Sequence, residues 1–285
     1  MVLAHGACRS ESAKQPSSRP ATPRRIISIA PDATEMIEAL GATDRLVGVS
    51  DFCVWPPAIS KLPRIGGLFD ANLETILRLQ PDLVVLRGHN QSVEQLCADN
   101  RIQLYFDATE RFEDIYRTLR ELGAILDRRE EAAAVETKMR DRLGRVESAV
   151  SGQPRPRVFM TLARNPESIA SIMTGARGTF IDEMIVRAGG ENVFADLGMD
   201  YPSVSLEAIL VAKPDVIIEA MPEVKLTPAV EADIRRQWQE LAPIPAVKTG
   251  RVFILSDENC YIPSPRIVDM VAKLARLLHP EVEID

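Results

Sequence analysis

The sequence predicts an α/β protein of two similar lobes, each with a parallel sheet, joined by one long helix. Three observations carry this. Aliphatic runs alternate with amphipathic helical stretches, the order that builds parallel sheets covered by helices. The stretch NLETILRLQPDLVVL (residues 72–86) recurs as SLEAILVAKPDVII (205–218), with Glu74 eight residues before Asp82 and Glu207 eight before Asp215. Residues 127–150 form a charged segment rich in Ala, Glu and Arg, whose apolar positions Ala132, Val135, Met139, Leu143 and Val146 step by 3–4 along one helical stripe. Strand–helix grammar repeats in any parallel α/β protein. A match over about fourteen positions on either side of a single long helix favours equivalent lobes.

From Arg24, RIISIA reads as a strand, and PDATEMIEALG places Met36, Ile37 and Leu40 at helical spacing before Gly41 stops it. LVGVS is a second strand, followed by the loop DFCVWPPAISKLPRIGGLFDA. The first copy of the repeat then supplies a short helix and a buried strand. A helix at 91–99, the strand IQLYFDA and a helix at about 111–126 follow. After the long helix, SGQPRPR breaks the pattern. A second series begins with RVFMTLA and a helix at 178–188 ended by Gly189 and Gly190. The second copy of the repeat, the strand RVFIL and a terminal helix at 265–278 complete it. The expected organisation is a tail or tether over 1–23, an N-terminal lobe over 24–126, the bridging helix over 127–150 and a C-terminal lobe over 151–285.

With 285 residues and 46% hydrophobic content, the chain can form a sizeable core. A net charge of −7 without a basic run argues against nucleic acid. No apolar stretch approaches the roughly 18–20 residues of a membrane span. Residues 9–25 are rich in Ser, Pro, Arg and Ala, as a flexible tether would be. Before them stands LAHGAC, which resembles the end of a bacterial lipoprotein signal and makes Cys8 the lipidation candidate. His5 departs from that pattern, and the apolar core of a complete signal peptide is not in this sequence. Cys53, Cys97 and Cys260 have no zinc-like spacing; an oxidising compartment would permit one disulfide among them.

Catalytic fingerprints are missing: no G-x-G-x-x-G follows the first strand, and no phosphate loop or G-x-S-x-G elbow occurs. No catalytic residue and no cofactor is therefore expected. The three histidines, His5, His89 and His279, are too dispersed for a metal site. His89 alone could ligate the metal of a bound corrinoid or haem, although a solvated loop histidine is the commoner case.

RIISIAPDATEMIEALGATDRLVGVSD, PRIGGLFDANLETILRLQPDLVV, GGENVFAD, VSLEAILVAKPDVII and PSPRIV together resemble the helical-backbone (class III) periplasmic substrate-binding proteins of ABC importers for cobalamin, ferric siderophores and haem. The resemblance covers about residues 24–280 and is greatest to the cobalamin-binding branch. It implies two Rossmann-like lobes joined by a rigid helix, with ligand held between them. It also implies a monomeric, extracytoplasmic protein that docks on a permease dimer through one acidic residue per lobe, and Glu74 and Glu207 occupy those positions. Asn72 and Ser205 are good helix N-caps, which places each glutamate in an exposed first turn where an arginine fork could meet it. The helix dipole alone would also favour an acid there.

Ligands of parallel α/β lobes sit beyond the carboxyl ends of the strands. The loops expected there supply the cleft candidates Phe52, Trp55, Leu68, Arg87, His89, Asn165, Tyr201, Asp257, Tyr261 and Arg266. Aromatic walls with a few polar anchors suit a large, flat, partly polar ligand. Cobalamin or a related corrinoid is the leading expectation. Leu68, Leu86, Arg87 and Tyr201 stand where the cobalamin branch has tryptophans, and Arg87 and Arg266 could instead face a ferric siderophore or haem propionates. A soluble corrinoid carrier without a transporter is the remaining alternative.

Overall fold

A computed structural model describes residues 22–164, 171–222 and 224–284. Cys8 and Asn165 lie outside the described residues. The first half runs β1 (Ile26–Ser28), α1 (Pro31–Ala39), β2 (Leu46–Val49), α2 (Leu73–Arg78), β3 (Leu83–Arg87), α3 (Gln91–Asn100), β4 (Gln103–Asp107) and α4 (Phe112–Ile125). Its strands form one parallel sheet in the order β2-β1-β3-β4. The long helix α5 (Arg129–Ala149) follows.

The second half runs β5 (Arg157–Thr161), β6 (Ala163–Arg164), β7 (Ser171–Met173), α6 (Phe180–Arg187), β8 (Glu191–Asn192), β9 (Ser203–Ser205), α7 (Leu206–Ala212), β10 (Val216–Ala220), α8 (Pro228–Gln239), α9 (Pro245–Lys248), β11 (Val252–Leu255) and α10 (Ile267–Leu278). It holds a parallel sheet ordered β11-β10-β5-β8. The antiparallel sheet β6-β7-β9 and helix α8 were not expected. Those strands have two or three residues each, too few for an alternation to show. Helix α8 buries only Ile234 and Trp238, so its apolar stripe is thin.

The two copies of the repeat fold alike. Asn72 Oδ1 accepts from Thr75 N at 2.8 Å and Ser205 Oγ from Ala208 N at 3.3 Å, capping α2 and α7. Ile76 and Ile209 are both fully buried. Gln80 (φ 47) and Lys213 (φ 48) take the same left-handed conformation before Pro81 and Pro214. The aspartates then clasp the first strand of each half. Asp82 accepts from Arg24 N and Arg25 N at 2.8 and 2.9 Å; Asp215 accepts from Arg157 N at 2.9 Å. The arginines return the contact, Arg25 to Leu79 O at 2.6 Å and Arg157 to Ala212 O at 2.9 Å. The recurring Pro-Asp pair is thus a structural device.

Helix α5 buries Ala132, Met139, Leu143 and Val146, with Val135 partly covered. It packs against α4 and α1 from one half and α10 and α6 from the other. One continuous apolar cluster therefore reaches from Ile26 and Val85 in the first sheet to Val158 and Ile218 in the second. Cys53, Cys97 and Cys260 are buried free thiols.

Replacing Asp215 with Ala should lower stability by about 1–3 kcal/mol, and Asp82→Ala, at a more exposed site, by the lower end of that range. Glu74→Ala and Glu207→Ala, both at exposed positions, should cost less than either aspartate change. Urea unfolding of the four variants checks this, and the reverse ranking would contradict the structural role of the aspartates.

Candidate functional site

The carboxyl ends of the two parallel sheets face each other across a cleft of about 500 Å³. Its first wall comes from the turns after β1 (Ile29, Ala30, Pro31) and β2 (Asp51, Phe52, Val54), with Leu68 and Arg87. The facing wall is Pro222 after β10 and Glu258, Tyr261 and Ile262 after β11. A recess of about 190 Å³ adjoins it, sharing Pro222 and Tyr261 and floored by Leu162, Arg164 and Glu219. Phe52 is 60% exposed and Val54 52%, so the mouth offers bare apolar surface.

Arg87 ends β3, and its guanidinium is already occupied. It pairs with Asp32 on α1, donates to Thr109 O at 2.8 Å, and lies 3.7 Å from Glu110. Behind it, Asp107 at the end of β4 accepts from Thr109 and Thr118 at 2.5 and 3.2 Å, while its second oxygen receives no hydrogen bond. Burial, then the neighbouring Asp32 charge, push the Asp107 carboxyl up to about 7 from 3.8. Arg164 is engaged too: it pairs with Glu219 at 2.6 Å, both almost fully buried, and Glu219 also accepts from Trp238 Nε1 at 2.8 Å.

Polar contacts cross between the lobes on both flanks of the cleft. On one, Tyr201 donates to Glu110 at 2.8 Å, Arg111 to Gly178 O at 3.1 Å, and Phe112 N to Glu183 at 2.9 Å. On the other, Glu35 on α1 accepts from the Ser264 hydroxyl and lies 3.6 Å from Arg266. The Arg266 guanidinium stacks 4.3 Å from the Trp55 ring centroid. Burial raises the Glu35 pKa, with the Ser264 hydrogen bond and Arg266 pulling the other way.

Of the residues picked from sequence, Phe52, Leu68, Arg87 and Tyr261 line the cleft. Trp55, Tyr201 and Arg266 lie beside it in the cross-lobe contacts. His89 is exposed, pairs with Glu94 at 3.2 Å and stacks near Phe106; Asp257 pairs with Lys273 at 2.5 Å. Sequence reasoning overlooked Ile29, Pro31, Asp51, Val54, Pro222, Glu258 and Ile262. Most of these sit in loops already expected at strand ends, but the selection there sought aromatics and cations. Glu74 and Glu207 are both exposed in first helical turns, and neither meets a cation among the described residues. The Ser205 hydroxyl, then its own backbone N–H, hold the Glu207 pKa below the ordinary glutamate value.

Two parallel α/β lobes, a shared helix and a cleft between strand ends define a binding protein of the two-lobed, helix-bridged class. Residues 26–258 match the periplasmic binding protein family, and the chain belongs to it. A vitamin B12-binding protein of Pectobacterium carotovorum is 32% identical over 232 residues, 80% of each chain. The solved periplasmic vitamin B12-binding protein of Vibrio cholerae aligns with a TM-score of 0.76 and 29% identity, covering 91% of this chain and 98% of that one. A periplasmic haem-binding protein of Pseudomonas aeruginosa aligns at 0.80 with 26% identity, covering 92% and 94%.

The Asp107 carboxyl should leave a mark on stability. An aspartate raised to about 7 in the folded state stays protonated there while the unfolded chain ionises near 3.8. Between those values the folded state binds the extra proton, so stability from this group falls as pH rises from about 4 to about 7. The slope is at most about 1.4 kcal/mol per pH unit. Asp107→Asn should flatten that part of the stability–pH profile in urea unfolding; an unchanged profile would place the proton elsewhere.

Proposed function

We propose that this chain is the substrate-binding component of an ABC importer, which captures cobalamin or a related corrinoid between its lobes and delivers it to a membrane permease. The observation that carries the reading is the mostly apolar cleft framed by both lobes, in a chain similar over most of its length to vitamin B12-binding proteins. Phe52, Leu68 and Tyr261 would contact the faces and edges of the macrocycle, and polar groups at the rim would meet its amide side chains.

The similarity to a haem-binding protein supports a second reading. Haem propionates and carboxylate- or catecholate-bearing ferric siderophores are anionic and need cations free to meet them. Arg87 already serves Asp32, Thr109 and Glu110, and Arg266 serves Glu35 and Trp55. That weighs for the corrinoid. No catalytic step belongs to this function.

Delivery rests on Glu74 and Glu207. Several recurring positions of the repeat have a task within the fold: a cap, a buried isoleucine, a left-handed turn, a clasp on a strand. The glutamates are exposed, one on each lobe, with only local contacts at Glu207, and each would meet an arginine of one permease subunit. This favours an importer component over a free corrinoid carrier. Cys8, as a lipidated residue, would tether the protein in the periplasm or at an outer membrane surface. Because α5 and the cross-lobe contacts hold the lobes together, capture would need only modest closure.

Purified protein should bind cyanocobalamin with a Kd below about 10 µM, roughly −7 kcal/mol, read by intrinsic fluorescence, and haemin more weakly. Glu74→Arg with Glu207→Arg should leave that affinity intact and abolish uptake in cells carrying the permease. Tighter binding of haemin would overturn the corrinoid reading; loss of ligand affinity in the double variant would overturn the docking role.

A further inference from the structure

We propose that Asp51 and Glu258, one from each lobe, set the charge selectivity of the cleft, so that it prefers corrinoids carrying added positive charge and rejects anionic ones. This rests on the corrinoid reading and extends it to the ligand's net charge. Asp51 follows β2 and Glu258 follows β11, and both line the same cleft from opposite sides. Both are exposed, and neither has an ion-pair partner among the described residues.

Among the described residues, the cations lining the cleft and its adjoining recess, Arg87 and Arg164, are paired within the fold. Arg87, the cation on the cleft wall, is balanced by Asp32 and flanked by Glu110. Arg64 supports the loop that carries Asp51, donating to Ser50 O at 2.9 Å and Cys53 O at 2.6 Å. Lys273 is paired with Asp257, the neighbour of Glu258. Arg164 is buried against Glu219 beneath the adjoining recess. Among the described residues lining the cleft, Asp51 and Glu258 are thus the charged groups without an ion-pair partner. A neutral corrinoid offers amide N–H groups that carboxylates accept. A ligand carboxylate placed there meets repulsion from both sides, and an ammonium meets attraction from both.

The size of the effect follows from Coulomb's law. Two charges about 8–10 Å from a ligand substituent in a wet cleft change Kd by roughly threefold to tenfold per unit of ligand charge at low ionic strength. At 1 M salt, where the screening length is about 3 Å, the preference should nearly vanish.

The test uses three ligands with the same axial cyanide: cyanocobalamin, a derivative with one peripheral amide hydrolysed to a carboxylate, and that carboxylate coupled to ethylenediamine. The full chain should bind the ammonium derivative most tightly and the carboxylate least. The Asp51→Asn, Glu258→Gln double variant should compress the whole series to within about twofold. The quantity read is the ratio of Kd values, which a general loss of affinity does not move. Equal affinities for the three in the unaltered protein, or an unchanged ratio in the double variant, would overturn the charge assignment alone. Binding of none of the three would overturn the corrinoid reading and this inference with it.

Discussion

Helix α5 carries a shared apolar core, packing against α1 and α4 of one half and α6 and α10 of the other. A parallel sheet leaves its functional loops at the carboxyl ends of its strands, and one lobe alone would offer a shallow surface there. Here Met139, Leu143 and Val146 are buried between helices of both halves. That seam fixes the direction in which each set of strand ends points. The result is two walls, built from similar sequence on a shared core and held facing each other. Tyr201 with Glu110 on one flank, and Arg266 with Glu35 on the other, then fasten the lobes beside the cleft.

These fastenings also decide the electrostatics of the site. Arginines near a cleft invite an anion-binding interpretation, and in this chain they are committed elsewhere. Arg87 lies between Asp32 and Glu110, Arg266 stacks on Trp55 over a buried glutamate, and Arg164 lies buried against Glu219. A buried guanidinium left unpaired would be costly, so each such cation brings its carboxylate with it. Asp51 and Glu258 are exposed carboxylates among the described residues that line the cleft.

The parts of this protein legible in its sequence are those governed by local chemistry. The stripe of α5, the capped helices α2 and α7 and the two parallel sheets follow from periodicity and from cap and turn residues. The Pro-Asp pairs could be seen to recur, but their clasp on Arg25 and Arg157 could not, because the partners lie 57 and 58 residues away in the chain. The same limit applies to the cleft. Trp55 and Arg266 were both picked as ligand groups, and only tertiary contact reveals that they meet each other. Asp51 and Glu258 stood in the right loops, yet an isolated surface acid carries no signal until its facing neighbours are known. Helix α8 was hidden because two buried residues do not make a readable stripe.

If both lobes hold a corrinoid between their strand ends, hydrogen exchange of backbone amides with and without saturating cyanocobalamin should register it on both sides of the cleft. Ligand-dependent protection is expected in the segments carrying Asp51 to Val54 and Glu258 to Ile262, one on each side of the cleft. Protection confined to one lobe, or found only away from these segments, would contradict it.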